Sequence, residues 1–295
     1  MVFKSRFSRL WPYLVLLPAL ALYALFVLVP AVGNVVLSFT DFTGNIRLPI
    51  RWVGLDNYAR AFGSDQKYLT DAIRVTFIFS ISITVLQNVA GILLAVLVNA
   101  KLRLRNFYRA VIFLPNILGV VVVGLVWTLV FDPMSGPVNL LLQQFDRNSA
   151  LLGDPDIALY LVIFVTMWMN VGYGMIIYLA GLQNIPGELY EAARIDGASN
   201  WGMLRYITIP LIQAAITINV LICLIGTLGL FDIIKVLTNG GPGKSTSTLS
   251  MYIFNTIFGG DSQGFVAALS MIHFAIVFVV VLIAQYFMRR RETEL

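Results

Sequence analysis

Polar side chains recur on one face of an apolar segment around residue 170. Thr166, Asn170 and Tyr173 follow one another at spacings of four and three residues, so a helix places them on the same side. Hydroxyl, amide and aromatic groups are the ones that bind sugars, through hydrogen bonds and ring contacts. Polar groups inside membrane segments usually face a bundle interior or a cavity. The pattern therefore predicts a solute-facing surface.

A second face of this kind lies in the next long apolar segment. Asn219, Cys223, Gly226, Thr227 and Leu230 share roughly one side of a helix there. The predicted solute pathway is Thr166, Asn170, Tyr173, Asn219, Thr227 and Leu230. The alternative is that these groups only join helix to helix, and it stays open. The same holds for three further polar side chains in apolar segments, Gln87, Asn88 and Asn116.

A polar stretch, which we name the docking segment (residues 183–209), interrupts the apolar chain between those two faces. Pro186 suits the first turn of a short helix, Glu191 favours its N-terminal half, and Gly197 is placed to end it in a left-handed cap. Ser199 is placed to cap a second short helix carrying Trp201, Met203, Leu204 and Tyr206. We expect these apolar and aromatic side chains to be exposed at the membrane surface and the segment to bind another protein. The alternative is an interfacial loop whose aromatic rings lie among lipid headgroups.

The elements that position these residues are membrane-spanning helices. Of the 295 residues 59% are hydrophobic and only 12% are charged, and the mean hydropathy is +0.85. Soluble domains carry about 25% charged residues. Continuous apolar runs long enough to cross a membrane predict an all-α protein with six spans, at 11–38, 72–99, 109–131, 157–182, 210–235 and 264–288.

Basic residues orient the spans. With both termini inside, twelve of the 20 Lys and Arg residues lie in inner segments, which places the docking segment in the cytoplasm. We therefore predict a cytoplasmic N-terminus at 1–10, a six-helix permease domain at 11–288 and a cytoplasmic tail at 289–295. The basic start of the chain reads as a retained anchor, because no cleavage site follows closely.

Composition and loop lengths exclude several functions. His273 is the single histidine and Cys223 the single cysteine, so the sequence predicts neither a metal site nor a disulfide, and no nucleophile–base set suggests an enzyme. The basic residues occur in short clusters beside apolar spans, which argues against nucleic-acid binding. The largest loops have 26 and 32 residues, too few for a nucleotide-binding or solute-capturing domain. Other chains must supply those activities.

The docking segment also resembles a known motif. Glu191-Ala192-Ala193, three residues, Gly197, nine residues, Ile207 and then Ile209-Pro210 is similar to the EAA loop of ATP-binding-cassette importer permeases, with Ile209 where the family usually has Leu. Most of the chain resembles the carbohydrate-uptake, MalF-like branch, through four further stretches: residues 52–58, 113–115, 231–232 and 237–242. Positions 226, 227 and 230 depart from the Asn-rich pattern of that branch, which predicts a less polar half of the pocket in this chain.

The resemblance implies a type I importer permease of the MetI-like fold that moves a carbohydrate by alternating access. It implies a second permease subunit, two ATPase subunits that hold ATP and Mg²⁺, and an extracytoplasmic solute-binding protein in the cytoplasmic membrane of a bacterium or archaeon, with no cofactor on this chain. The ATPase-docking residues would be Glu191, Ala192, Ala193, Asp196, Gly197, Trp201, Ile207 and Pro210. Glycerol 3-phosphate is the alternative solute. A secondary transporter is the distant alternative, although the spans hold almost no ionisable group.

Overall fold

The computed structural model describes residues 6–45, 47–100, 103–145 and 149–292. Within these ranges the chain is helical, and its extended pairing is limited to one antiparallel bridge between Thr40 and Trp52. Continuous apolar runs satisfy their backbone hydrogen bonds internally in helices, which is what the lipid interior requires. The predicted all-α class is confirmed.

Fifteen α-helices are assigned in the described ranges. In chain order they are α1 Arg6–Tyr23, α2 Val29–Leu37, α3 Asp56–Phe62, α4 Gln66–Asn99, α5 Arg105–Ile117, α6 Val120–Val130, α7 Pro137–Gln143, α8 Ala158–Gln183, α9 Gly187–Ile195, α10 Asn200–Met203, α11 Ile209–Leu211, α12 Gln213–Leu228, α13 Asp232–Leu237, α14 Leu249–Phe258 and α15 Gln263–Glu292. Wider π-helical turns join α1 to α2 at Ala24–Leu28 and α10 to α11 at Leu204–Thr208.

Four stretches of helix are long and apolar enough to cross a membrane: Val15–Leu37, Gln66–Asn99, Ala158–Gln183 and Gln263–Arg290. Two bent pairs, α5 with α6 and the Asn200–Leu211 helix with α12, bring the number to six if each pair is one span. The number of spans therefore agrees with the sequence prediction when the bent pairs are counted in this way.

Two of the predicted spans are bent and are not continuous helices. The span predicted at 109–131 bends by 97° because Leu118 and Gly119 are extended, just after the helix that contains Pro115. The span predicted at 210–235 bends by 72° at Ile212, whose φ of −96° and ψ of 13° lie outside the helical region. That helix ends at Leu228, and α13 is a separate element.

The chain divides into two compact units. The first contains the described residues of 1–67 together with Ile253–Ala275. Within it Arg60 bonds Asp65 over 3.0 Å and Asp261 over 2.6 Å, and its guanidinium lies 3.8 Å above the Phe265 ring. Burial disfavours the charge of Arg60, but Asp261 and then Asp65 outweigh burial and raise the pKa of Arg60.

The second unit contains Tyr68–Tyr252 and the described residues from Ile276 onward. One of its apolar clusters packs α4 against α8 and α13, with Phe79, Val162 and Ile234 buried in it. Another, around Met175 and Ile212, packs α4 against α8 near the break between α11 and α12. These clusters fix the helices that carry the two predicted polar faces.

Candidate functional site

The two predicted polar faces meet at one cavity in the second unit. Its volume is ≈ 350 Å³, and residues of α4, α5, α8, α12 and the turn after α12 line it. The lining residues are Gln87, Asn116, Thr166, Asn170, Tyr173, Asn219, Ile222, Cys223, Gly226, Thr227 and Leu230. All six residues of the predicted solute pathway are among them. Their role in solute transport stays a prediction.

The α8 side of the cavity is a ladder of helix-spaced polar groups. The Thr166 hydroxyl donates to the Val162 carbonyl over 2.7 Å, and Nδ2 of the Asn170 side chain donates to the backbone carbonyl of Thr166 over 2.9 Å. The Tyr173 ring is exposed at the cavity. These local bonds hold Thr166 and Asn170 against their own helix, which leaves the Tyr173 ring as the exposed apolar surface for a solute.

Bonds between helices tie this ladder to α4 and α5. Asn116 of α5 donates to the side-chain oxygen of Asn170 over 3.3 Å. Gln87 of α4 donates to the Asn170 carbonyl over 3.3 Å and accepts from the Cys223 thiol of α12 over 3.6 Å. Both Gln87 and Asn116 line the cavity, whereas the sequence left helix packing as their alternative role.

The α12 side is less polar. The hydroxyls of Thr227 and Ser80 lie 2.7 Å apart, and Thr227 also donates to the Cys223 carbonyl over 2.8 Å. Asn219 is almost fully buried at the wall, whereas Ile222 and Gly226 present apolar surface. The prediction missed Ile222, although its place three residues after Asn219 and four before Gly226 puts it on the same helix face. None of the described lining residues is charged, so the cavity suits a neutral, hydrogen-bonding solute.

The first half of the docking segment folds as predicted. Pro186 precedes α9, and Gly197 has φ +78° directly after the helix-ending Asp196. The Ala198 amide donates to the Ala193 carbonyl over 2.9 Å, which satisfies an end of the helix. The predicted left-handed cap at Gly197 is confirmed.

The second half of the segment folds back on the first. Ser199 accepts a hydrogen bond from the Gly202 amide over 3.1 Å, which confirms it as a helix cap. Contrary to the prediction of an exposed apolar set, Met203 is buried. The hydroxyls of Tyr190 and Thr208 lie 2.9 Å apart, which joins α9 to the turn after α10, and the Thr208 hydroxyl also donates to the Met203 carbonyl over 3.3 Å.

The docking segment presents a broad exposed surface. Trp201, Tyr206 and Ile195 are all exposed, and Ile195 is 85% accessible. Of the predicted docking residues, Glu191, Ala192, Asp196, Gly197 and Trp201 are exposed, whereas Ala193, Ile207 and Pro210 are half-buried. The prediction missed Ile195, although its place four residues after Glu191 on α9 was a signal.

Comparison with known proteins agrees with this architecture. Residues 87–293 match the family model of the binding-protein-dependent transport system inner membrane component. The probable starch degradation products transport system permease protein AmyD of Thermoanaerobacterium thermosulfurigenes is 32% identical over 99% of both chains. The trehalose/maltose transport system permease protein MalF of Thermococcus litoralis is 32% identical over 90% of this chain and 89% of that protein.

A solved structure shares the fold. A chain of the bacterial alginate ABC transporter, in complex with an alginate pentasaccharide-bound periplasmic protein, has a TM-score of 0.83 and 26% sequence identity. The match covers 97% of this chain and 96% of that chain. With its spanning helices and its family match over most of its length, the chain belongs to the inner membrane components of binding-protein-dependent transport systems and is a multi-pass membrane protein.

Proposed function

We propose that the chain is the permease subunit of an ATP-binding-cassette importer that carries a mono- or oligosaccharide across the cytoplasmic membrane. The observation that carries this proposal is the uncharged cavity, whose amides and hydroxyls surround the exposed ring of Tyr173. Sugars offer hydroxyl groups to hydrogen-bond and apolar ring faces to stack. AmyD, MalF and the alginate transporter are all named for the transport of carbohydrates, which supports the same solute class.

The lining also weighs against the alternative solute. Glycerol 3-phosphate carries a phosphate, which proteins hold with arginine, lysine or helix N-termini. None of the described lining residues is a cation. A secondary transporter would need acidic, basic or histidine side chains at this depth to couple solute to an ion, and the described lining has none of these. We therefore propose a neutral sugar as the transported solute.

The proposed partners would cover two surfaces that this chain leaves open, one side of the cavity and the exposed face of the docking segment. A second permease subunit would close the open side of the cavity as a heterodimer. Two ATPase subunits would bind ATP and Mg²⁺ and dock on the exposed surface around Trp201 and Ile195. A solute-binding protein would deliver sugar from outside, since the loops are too short to form a capture domain. Both termini would then lie in the cytoplasm.

The chain path supports a mechanism for coupling. Helix α8 ends at Gln183 and α9 begins at Gly187, whereas α10 and α11 lead directly into α12. The docking segment is thus the covalent link between the two helices that carry five of the six predicted pathway residues, and the sixth, Leu230, lies two residues after the end of α12. A push on the segment from closing ATPase subunits would move α8 and α12 together, and the cavity would open alternately to either side.

The experiment is uptake by proteoliposomes that contain this chain, its co-expressed neighbours and the binding protein. Radiolabelled maltose, trehalose, lactose, glycerol 3-phosphate and methionine are compared. We expect saturable uptake of at least one sugar, and not of glycerol 3-phosphate or methionine. Uptake of either of these two compounds without uptake of any sugar contradicts the proposed solute class. Asn170→Leu tests whether the cavity is the route, with Thr128→Val outside the cavity as its control.

A further inference from the structure

One buried amide joins three spanning helices beside the cavity. Asn88 of α4 is 6% exposed, and its Oδ1 accepts hydrogen bonds from the Tyr178 hydroxyl of α8 and from Nδ2 of Asn219 of α12, the latter over 2.8 Å. Its own Nδ2 donates to the Thr84 carbonyl over 2.6 Å, one turn earlier in α4. Both ends of the carboxamide are therefore in use.

This junction lies behind the cavity wall. Asn219 lines the cavity, but Asn88 and Tyr178 do not. Tyr178 is 0% exposed and Asn219 is 1% exposed, so no solvent is available to replace the bonds that Asn88 makes. A Cβ at Gly174 of α8 would lie only 2.9 Å from Nδ2 of Asn219, so the glycine permits the close approach of α8 to α12.

The chemistry of the position requires an amide. A single carbonyl oxygen accepts from both a hydroxyl and an amide, and the amide nitrogen is left to satisfy the α4 backbone. An apolar side chain would leave the Tyr178 hydroxyl and the Asn219 nitrogen without these bonds in a dry interior, which is costly. The Oδ1 of Asn219 has no hydrogen-bond partner among the described residues, so the side chain is held through its nitrogen, which donates to Asn88.

We propose that Asn88 is a positioning residue for solute translocation. It does not touch the solute, and it acts by holding Asn219 in its orientation at the cavity wall and by tying α4 to α8 and α12 at that depth. The inference rests on the proposed function, because it takes the cavity as the place where the solute passes.

A purely structural role predicts different results. If Asn88 only joins helices, its loss weakens the folded subunit, and any defect is independent of Asn219. If Asn88 positions Asn219, replacement of Asn88 lowers the number of solute molecules moved for each ATP hydrolysed. In a variant that already lacks Asn219, replacement of Asn88 then causes no additional defect. The two roles are separated by a double-mutant cycle on the transport stoichiometry.

The test uses the full complex in proteoliposomes, with the binding protein purified together with its endogenous solute as the probe. The variants are Asn88→Leu, Asn219→Leu and the double variant. We expect each single variant to lower the transport stoichiometry by about tenfold, the scale of one buried polar group left unpaired. We expect the transport stoichiometry of the double variant to be no lower than that of the single variant with the larger defect. Two independent, multiplying defects would overturn the proposal.

Two further variants keep the test decisive. Tyr178→Phe removes only the hydroxyl and leaves the Asn88 bond to Asn219, so we expect a change of about twofold or less. Ser270→Ala removes a hydroxyl that bonds the backbone of its own helix, at the Val266 carbonyl, and should change nothing. If Asn88→Leu does not assemble, Asn88→Ser enters the same cycle under the same criterion.

Failure of this inference differs from failure of the proposed function. Mass spectrometry of the solute retained by the binding protein tests whether it is a sugar, and a different solute overturns only the proposed solute class. The cycle is measured with whatever that protein retains. Additive defects therefore overturn the role of Asn88 alone.

Discussion

The side chain of Asn116 on α5 donates to the side chain of Asn170 on α8 over 3.3 Å, and both residues line the same cavity. The two amides belong to segments that lie 54 residues apart in the sequence. Their pairing fixes the direction of the Asn170 amide, so its oxygen is occupied by Asn116 and its nitrogen by the Thr166 carbonyl. Any solute at this wall meets an oriented polar group.

Replacement of Asn170 should therefore impair transport without impairing ATP hydrolysis. In Asn170→Leu both bonds are lost and Asn116 is left without this acceptor, an effect of about 1–3 kcal/mol. We expect about a tenfold lower uptake rate, while ATPase activity stimulated by the binding protein is retained. Equal losses of both activities would show that Asn170 supports assembly instead.

Gly197 should be needed for the shape of the docking segment. Its φ of +78° costs an L-residue with a Cβ roughly 1–2 kcal/mol. We expect Gly197→Ala to reduce the ATPase that co-purifies with the chain, and Gly197→Asn to reduce it less. Gly187→Ala is the matched control, since its Cβ would meet no atom within 4 Å. A reduction as large in the control would refute the cap argument.

Ile195 should be a contact residue for the ATPase. Because its side chain is 85% exposed, Ile195→Asp leaves the stability of the chain within about 0.5 kcal/mol of wild type. We expect about tenfold weaker ATPase binding, as for an apolar anchor of an interface. Titration of detergent-solubilised chain with purified ATPase measures this. Asn184→Asp adds the same charge at an exposed residue outside α9, and binding equally weakened by it would assign the effect to charge alone.

The turn after α6 should loosen in acid. The Asp132 carboxylate accepts bonds from the Ser135 amide over 2.7 Å, the Ser135 hydroxyl and the Met134 amide, and these lower the pKa of Asp132. A lowered folded-state pKa stabilises the turn fully above the ordinary value of about 3.9 and loses that effect as pH falls through the folded-state pKa.

Hydrogen exchange measures this loosening at the two amides. Protection at Met134 and Ser135 should decrease below pH of about 4, after correction for the intrinsic exchange rate. Asp132→Asn has no carboxylate to titrate and should show no such step. The same step in both proteins would assign the acid response to another group.

The sequence was sufficient for the parts of the account that depend on composition and local spacing. Continuous apolar runs mark the spans, and spacings of three and four residues align Thr166 with Asn170 and Tyr173 on α8. The helix cap at Gly197 follows from the short polar stretch around it, because capping is decided within one turn of the chain.

Other features depend on distant parts of the chain and could not be predicted. The 97° bend between α5 and α6 arises from two extended residues, Leu118 and Gly119, inside an apolar run that reads as continuous. The junction of Asn88 with Tyr178 and Asn219 requires the register of three helices to be known. Met203 is buried, although the pattern of its own short helix does not distinguish it from the exposed Trp201.

The most direct test of the central claim is solute uptake by proteoliposomes with and without the ATPase subunits. We expect uptake to require the binding protein, the ATPase subunits and ATP on the side of the membrane where the docking segment lies. The chain without ATPase subunits should move no solute. Concentrative uptake by the chain without ATPase subunits would contradict the account and would identify a secondary transporter.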